Sequence, residues 1–288
     1  DVDRVVAHAL HVLRHEQQPW ADSEHPAGRE RQPPPAQRPS AVHRRRDQCQ
    51  QRDGAEDRMA PYREPRGEPG EARAVGDEDA PLPRITLVTP SYHQATFLEA
   101  TIRSVVEQRY PDLEYFVYDG GSTDGSVDII RAHEAEIDYW QSAPDGGQSA
   151  AINAGWERAT GDILGWLNSD DQLAPGALLR IGRLFASHPE FDAVYGRMDL
   201  IDQAGRVLGT LGEPFSRRGM ILSRNMVPQP AAFVRRSAVQ RVGLLDSSLR
   251  YVMDLDLWLR LAAERPPHAI PDTLARAVVH DATKTFAG

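Results

Sequence analysis

The 288-residue sequence has one cysteine, Cys49, and contains no apolar run of the ~20 residues that a membrane-spanning helix needs. A single cysteine excludes an intramolecular disulfide framework and a zinc site built on several thiolates. It also favours a reducing compartment such as the bacterial cytosol. The formal net charge of -9 argues against bulk electrostatic attraction to nucleic acid or to anionic lipid. We therefore expect a cytoplasmic protein with no nucleic-acid partner.

The first quarter of the chain is poor in large apolar side chains. Residues 16–80 contain no Leu, Ile or Phe, and only residues 2–13 keep a helical apolar spacing. Such a segment cannot offset the roughly 1–2 kcal/mol of backbone entropy that ordering costs per residue. The sequence predicts that residues 1–83 are a disordered, Pro/Arg-rich segment. It is either a linker or a mis-called upstream extension. The single lysine (Lys284) among 33 basic residues suggests a GC-rich coding sequence, which favours the second interpretation.

From residue 84 onward, short apolar runs alternate with helical patterns. Four runs are predicted strands, beginning at Ile85, Glu114, Ile137 and Ile163. Pro90 is predicted to end the first of them. Strands that alternate with helices of about 10–15 residues indicate parallel pairing through right-handed crossovers. The sequence thus predicts one α/β domain over residues 84–288, with shorter, interrupted strands after about residue 190.

Each of the four predicted strands is followed by a polar cluster. The clusters are residues 89–94, 119–126, 145–148 and 168–171. In an open parallel sheet, ligands bind outside the carboxyl ends of the strands. Turn and cap chemistry explains any one cluster, because glycine supplies positive φ and Ser, Thr or Asp caps the next helix. Four clusters at one sheet edge favour a shared ligand site.

The cluster that begins at Asp119 has the sequence DGGSTDGS. It lacks the alternating oxygen ligands of an EF-hand loop and the glycine spacing of dinucleotide and P-loop sites. A tight turn is one interpretation. The other is that a carboxylate at a strand tip accepts a hydrogen bond from a ribose hydroxyl or a nucleobase N–H.

Asp170 and Asp171 are adjacent carboxylates that directly follow an apolar strand. They repel each other, and a cation would most easily hold them together. Hard oxygen ligands favour Mg²⁺ or Mn²⁺, the usual partners of a diphosphate. His280 could complete such a set, whereas an N-cap for the following helix is the alternative role of the acidic pair.

Asp254 and Asp256 lie two residues apart and precede Leu257-Trp258-Leu259, at the start of a strongly apolar helix predicted over residues 255–263. Acidic residues in a first turn are stabilised by the helix dipole, which is one explanation for the pair. The functional interpretation is that Asp254 projects into a cleft as a general base.

Ten stretches of the chain, in this order, resemble the inverting, GT-A-fold glycosyltransferases of family 2, the nucleotide-sugar-dependent enzymes of bacterial polysaccharide assembly. The stretches are 89–94 (TPSYHQ), 108–111 (QRYP), 119–126 (DGGSTDGS), 144–149 (PDGGQS), 151–155 (AINAG), 167–171 (LNSDD), 228–230 (PQP), 243–246 (GLLD), 253–260 (MDLDLWLR) and 280–285 (HDATKT). The sequence departs from the family pattern at His93, Ala150 and Met253, where relatives commonly carry Asn, Asp and Glu.

The resemblance implies a mixed, mainly parallel GT-A-type sheet flanked by helices. It also implies roles for named residues, in which Pro90 and Tyr92 pack on the nucleobase and Asp119 hydrogen-bonds it. The residues implied to bind the nucleotide sugar are Pro90, Tyr92, Asp119, Asp145, Gln148 and Asp170. The implied metal ligands for Mg²⁺ or Mn²⁺ are Asp171, as principal ligand, and His280, and Asp254 matches the catalytic base.

The implied reaction moves a sugar from a nucleoside-diphosphate donor, of the UDP type, to a hydroxyl of a glycan or lipid-linked acceptor with inversion. A lipid-linked acceptor would bring the protein into peripheral contact with the inner membrane. Three alternatives stay open: a degenerate sugar-nucleotide-binding protein, a nucleotidyltransferase and a glycoside hydrolase. Against the second, residues 89–94 contain no glycine, Arg or Lys. The parallel sheet disfavours the third.

Overall fold

The computed structural model describes residues 81–216, 219, 227–249 and 252–279. The expectations for residues 1–80, namely the predicted disorder of this part and the helical spacing of residues 2–13, lie outside the described residues. So does His280, the second residue predicted to bind a metal ion.

Nine strands of the described chain form one mixed sheet. They are β1 (Ile85–Ser91), β2 (Leu113–Asp119), β3 (Tyr139–Ser142), β4 (Ile163–Trp166), β5 (Asp171–Leu173), β6 (Ala193–Ile201), β7 (Val207–Leu211), β8 (Ala232–Arg235) and β9 (His268–Val278). The strand order is β3-β2-β1-β4-β8-β6-β9-β5, with β7 paired to β6. The first four strands are mutually parallel, and β8 pairs antiparallel with both β4 and β6.

Helices cover both faces of this sheet. They are α1 (Ala95–Val106), α2 (Ser126–Ala132), α3 (Gln148–Arg158), α4 (Ala177–Ser187), α5 (Arg236–Val242) and α6 (Met253–Glu264), with 3-10 turns at Glu134–Glu136 and Gln229–Ala231. Leu87 packs in one apolar cluster with α1, α2 and α4, whereas its neighbour Val88 packs in a second cluster with α3, α5 and α6. Successive side chains of β1 therefore pack in two cores, one on each face of the sheet. This arrangement confirms the predicted α/β class. No helix in the described ranges is long and apolar enough to cross a membrane.

The first strand extends two residues beyond its predicted end and passes through Pro90. Its pairing with β4 ends at Val88, whose carbonyl oxygen accepts the N–H of Leu167. The nitrogen of residue 90 points to the same side of β1 as that carbonyl, towards β4, where the hydrogen bonds between β1 and β4 have ended. Pro90 therefore removes no hydrogen bond from the sheet, and the prediction that it ends the strand was wrong.

Two of the four strands that the structure describes after residue 190 are long, contrary to the sequence prediction, whereas β7 and β8 are short as predicted. β6 has nine residues and β9 has eleven, and the two pair in parallel. The register between them shifts near Arg197. Such irregularities break the alternation of apolar and polar residues that reveals a strand in sequence. Polar residues within these strands therefore looked like interruptions.

Gly155 lets α3 approach β1 closely. A Cβ atom at this position would lie 2.5 Å from Cγ2 of Val88 and 3.3 Å from the Tyr118 ring. Gly155→Ala is therefore expected to lower the free energy of unfolding by about 1–3 kcal/mol through overpacking. At an ordinary helical position the same change stabilises a protein by about 1 kcal/mol. Urea unfolding measures the sign, and a stabilised variant would contradict this packing.

His133 joins α1 to the end of α2. Its Nδ1 lies 2.7 Å from a carboxylate oxygen of Glu136, and its Nε2 lies 3.0 Å from a carboxylate oxygen of Glu99, which also pairs with Arg103. Burial opposes protonation, but the hydrogen bonds to Glu136 and Glu99 outweigh it and raise the pKa of His133 above 6.5. The stabilisation is fully present below the unfolded pKa and is lost as pH rises through the folded pKa.

We therefore expect the stability advantage of the parent protein over His133→Gln to shrink as pH rises through and above the ordinary histidine range, about 6.5. Urea unfolding of both proteins at pH values on either side of that range measures the difference. A difference that stays constant over this range would show that the imidazolium does not contribute.

Candidate functional site at the carboxyl ends of the parallel strands

The carboxyl ends of the first three strands are level with one another. Ser91 is opposite Asp119, which is opposite Ser142 on the far side. β4 ends nearby, with Trp166 paired to Val88. The four polar clusters that follow these strands therefore lie along one edge of the sheet, as the sequence predicts.

Asp119 is fully buried, and its carboxylate binds its own loop. Oδ2 accepts the backbone N–H groups of Gly121 at 3.1 Å and Ser122 at 2.8 Å, together with the hydroxyl of Ser142 at 2.6 Å. Oδ1 accepts the Ser122 hydroxyl at 2.5 Å. Three of these bonds go to Oδ2 and one to Oδ1, so the loop and β3 use most of the acceptor capacity of the carboxylate. Asp119 thus organises the loop, and its hydrogen bond to a nucleobase stays a prediction.

Gly120 lies between two residues that were predicted to bind the donor. A Cβ atom on Gly120 would lie 3.1 Å from Cδ2 of Tyr92 and 3.5 Å from Oδ1 of Asp145. The absence of a side chain therefore lets the Tyr92 ring and the Asp145 carboxylate each approach Gly120 closely. Tyr92 is 61% exposed and stacks on His93 at 4.2 Å between ring centroids, whereas Pro90 is buried within β1.

His93 adopts a left-handed backbone conformation, with φ of 52°. Asn is among the residues that tolerate this region best, and His is also enriched there. The backbone N–H of His93 donates to the Ser122 hydroxyl at 2.8 Å. The hydrogen bond ties the loop after β1 to the loop after β2, so the departure from Asn is compatible with the same turn.

An amide network joins the start of α3 to the end of β4. Gln148 Nε2 donates to Asn168 Oδ1 at 2.6 Å. Asn168 Nδ2 donates to Asp171 Oδ2 at 3.2 Å and to Gln229 Oε1 at 3.1 Å. Gln229 Nε2 donates in turn to the Trp166 carbonyl oxygen at 2.8 Å. Asn168 is therefore the residue that connects Gln148 with Asp171.

Sequence reasoning assigned no role to Asn168 or Gln229, although both lie in stretches that resemble the family. Asn168 is the first residue of the acidic cluster, and Gln229 lies between two prolines. These sequence positions were the only local indication that either residue belongs to the site. Their pairing across 61 residues has no counterpart in local sequence pattern.

Asp171 is only 7% exposed, and its side chain receives a hydrogen bond from Asn168. Burial and the neighbouring Asp170 carboxylate raise the pKa of Asp171 well above its usual range, although the Asn168 hydrogen bond acts in the opposite direction. A buried carboxylate beside another acid is stable as an anion only with compensating positive charge. Within the described residues, no group of three or more His, Cys, Asp or Glu side chains surrounds a common point that could hold a metal ion.

Asp254 is half-buried in the first turn of α6. The preceding residue, Met253, accepts a hydrogen bond from the Ser149 hydroxyl at the start of α3. One turn after Asp254, Trp258 stacks on Trp166 with 6.0 Å between ring centroids and an interplanar angle of 10°. Both contacts place the first turns of α6 against the residues that carry the amide network.

A cavity of about 270 Å³ lies at the other end of α3. It is lined by residues that include Trp156, Leu164 and Val239, and none of the predicted site residues lines it. Because α3 runs from Gln148 at the site to Arg158, this cavity opens at the opposite edge of the sheet. It is therefore separate from the polar clusters.

The geometry agrees with comparisons against known proteins. An uncharacterized glycosyltransferase of Mycobacterium tuberculosis (strain H37Rv) is 32% identical over 191 residues, which cover 65% of this chain and 72% of the relative. Staphylococcus aureus TarS 1–349 in complex with UDP-GlcNAc is similar in fold, with a TM-score of 0.57 at 15% identity. That match covers 71% of this chain and 61% of TarS 1–349.

A second solved structure, the mannosyltransferase PcManGT of Pyrobaculum calidifontis in complex with GDP-Man and Mn²⁺, has a TM-score of 0.54 at 19% identity. The match covers 71% of this chain and 59% of PcManGT. The chain thus spans less than two thirds of each of these two structures. The family described as Glycosyl transferase family 2 matches residues 86–242, more than half of the sequence. The chain belongs to glycosyl transferase family 2.

Proposed function

We propose that this chain transfers a sugar from a nucleoside-diphosphate donor of the UDP type to a hydroxyl of a glycan or lipid-linked acceptor, with inversion at the anomeric carbon. The observation that carries the proposal is a continuous line of contacts. It runs from Asp171 through Asn168 and Gln148 to the start of α3, and from Ser149 to Met253 beside Asp254. These contacts support the assignment of a candidate metal ligand, Asp171, and a candidate base, Asp254, to one site.

The donor nucleotide would bind beside Gly120. An exposed aromatic ring such as Tyr92 offers a flat apolar face to a nucleobase, as stacking residues do in other nucleotide-binding proteins. Asp145 and Gln148 would line the donor pocket from the third cluster, and Asp170 would lie near the ribose. Pro90 would support the base from within β1, and Asp119 would reach it through an Oδ1 hydrogen bond that replaces part of its loop contacts. TarS and PcManGT are described in complexes with UDP-GlcNAc and GDP-Man, which are both sugar nucleotides.

The acidic pair after β4 suits a hard divalent cation. Asp170 and Asp171 supply carboxylate oxygens, and the buried Asp171 lacks a compensating cation among the described side chains that contact it. Mg²⁺ and Mn²⁺ prefer such oxygen ligands, and Mn²⁺ is present in the PcManGT complex. Asp171 would be the principal ligand, with His280 as a second. A bound ion would supply Lewis-acid stabilisation of negative charge on the departing diphosphate.

The acceptor hydroxyl would lose its proton to Asp254. The carboxylate stands in the first turn of α6, where the helix dipole favours its ionised form, the form that a general base requires. Asn168 would hold the Asp171 side chain in place through its hydrogen bond. Attack by the hydroxyl on the face opposite the diphosphate inverts the anomeric carbon, so an α-linked donor gives a β-linked product.

The acceptor would approach from the side of α6. A lipid-linked acceptor would require peripheral contact with the inner membrane from the cytoplasmic side. A glycan acceptor would require none. Vesicles that carry a polyprenyl-phosphate sugar distinguish these two acceptors, because co-sedimentation that depends on the lipid-linked sugar is expected only in the first case.

The decisive experiment is a screen of UDP- and GDP-sugars with Mg²⁺ or Mn²⁺ that measures release of nucleoside diphosphate. Release that depends on the ion and stops with a chelator is expected. Tight binding without release would support the degenerate binding protein. Formation of a nucleotide sugar from a sugar phosphate and a nucleoside triphosphate would support the nucleotidyltransferase.

A further inference from the structure

The segment that leads out of α5 is held from two sides. This bracket segment, residues 242–245, begins at the last residue of α5 and contains Gly243 in a left-handed conformation with φ of 92°. The last carbonyl groups of a helix have no partner within that helix. Here, side chains from α3 and α6 bind the backbone of the segment.

Arg260 of α6 binds three carbonyl oxygens of the bracket segment. Nη1 donates to Val242 and Gly243 at 2.8 Å each, and Nη2 donates to Leu244 at 2.9 Å. Nε donates to Asp256 at 2.8 Å on the same helix. The planar guanidinium thus fixes both the position and the rotation of α6 against the end of α5.

Asn153 of α3 holds the next residue of the segment. Its Nδ2 donates to the Leu245 carbonyl at 2.8 Å, and its Oδ1 accepts the Leu245 N–H at 3.0 Å. This two-point contact fixes the direction of the backbone as well as its distance from α3. Arg260 and Asn153 therefore connect α6 to α3 through one short stretch of chain.

A second connection between α3 and α6 is weaker. The Ser149 hydroxyl bonds the thioether sulfur of Met253, and sulfur is a weak acceptor. Apolar packing, including the stack of Trp258 on Trp166, presses α6 against the sheet, and the bracket segment adds the strongest directional hydrogen bonds between α6 and α3. Asp254 precedes Arg260 by six residues, or about 9 Å along the helix. A rigid helix of that length transmits a shift at Arg260 to Asp254.

We propose that Arg260 and Asn153 are positioning residues that hold the first turn of α6, and with it Asp254, at a fixed place relative to Gln148 at the start of α3. The link from this placement to turnover rests on the proposed function, because it takes Asp254 as the base. The placement of α6 by these two residues does not depend on the proposed function. Two readouts therefore test the proposal, one of which needs no substrate.

The first readout is backbone hydrogen exchange in the full chain without a donor. Arg260→Lys keeps the charge but cannot span the three carbonyls and Asp256 at once. We expect about tenfold faster exchange of the α6 amides from Asp256 onward, because local opening of the helix becomes easier. The matched control is Arg180→Lys, which removes a two-point contact with Asp272 between α4 and β9 and leaves exchange in α6 unchanged.

Asn153→Ala tests the other side of the bracket segment without altering α6 itself. We expect faster exchange in the same amides, and a smaller combined effect with Arg260→Lys than the product of the two single effects, because both residues hold one segment. Parental exchange rates in α6 for both single variants would overturn the proposal. An Arg260→Lys chain that fails to fold leaves Asn153→Ala as the deciding variant.

The second readout is release of UDP from UDP-N-acetylglucosamine with Mn²⁺. Arg260→Lys is expected to lower kcat about tenfold with KM for the donor unchanged, whereas a purely structural role would lower the melting temperature and leave kcat per folded molecule intact. If Asp254→Asn retains full turnover while exchange in α6 still rises in Arg260→Lys, the base assignment is wrong and the positioning role of Arg260 and Asn153 is supported. If Asp254→Asn is inactive and exchange in α6 stays parental in Arg260→Lys and Asn153→Ala, the positioning role is wrong and the base assignment is unaffected.

Discussion

Replacing Asp254 with asparagine is expected to lower kcat by about 10²- to 10⁴-fold, the usual contribution of a positioned general base. Asparagine has nearly the same shape but cannot accept the proton of the acceptor hydroxyl at neutral pH. Because Asp254 is proposed to act on the acceptor hydroxyl and not to bind the donor, donor affinity should stay within about twofold of the parent. Turnover by nucleotide release and donor binding by calorimetry measure the two quantities.

Glu264→Gln is the control for this variant. Glu264 lies in the last turn of the same helix and pairs with Arg241, so the change removes a carboxylate from α6 at the end remote from the site. Its turnover should equal that of the parent. An Asp254→Asn protein with parental turnover would disprove the base assignment, and equal losses in both variants would attribute the effect to the charge of the helix.

Replacing Asp171 with asparagine should abolish the dependence of donor binding on a divalent ion. The change removes one negative charge from the acidic pair while Asn168 keeps a partner of similar shape. Loss of a direct metal ligand is expected to exceed the 10- to 100-fold loss of affinity that follows removal of outer partners. Calorimetric titration of UDP with and without Mn²⁺ measures the difference for parent and variant.

The stability of the Asp171→Asn protein without metal separates a binding defect from a folding defect. Asp171 is a buried carboxylate, so its replacement by a neutral amide removes a desolvation cost and should not lower the melting temperature. Parental Mn²⁺ dependence in the variant would exclude Asp171 as a ligand. A strongly destabilised variant would show that Asp171 is a structural residue of β5.

Local pattern was sufficient for the first half of the fold. Each strand from β1 to β4 is a short apolar run, and the helices between them keep an apolar face, so periodicity located them to within a few residues. The second half needed pairing information, because the register shift in β6 and the polar residues of β9 hide the strand pattern. The exception in the first half was Pro90, whose tolerance depends on where β4 stops.

The sequence by itself determined that four polar clusters follow parallel strands, since the chemistry of a strand end is written in consecutive residues and the direction of the strands follows from the helices between them. Only the tertiary structure decided which of those residues meet. Three contacts join positions from different elements. Asn168 bonds Gln229, Tyr92 and Asp145 lie against Gly120, and Arg260 bonds the end of α5. Such contacts depend on the packing of α3 and α6 on the sheet, and no periodicity in the chain encodes that packing.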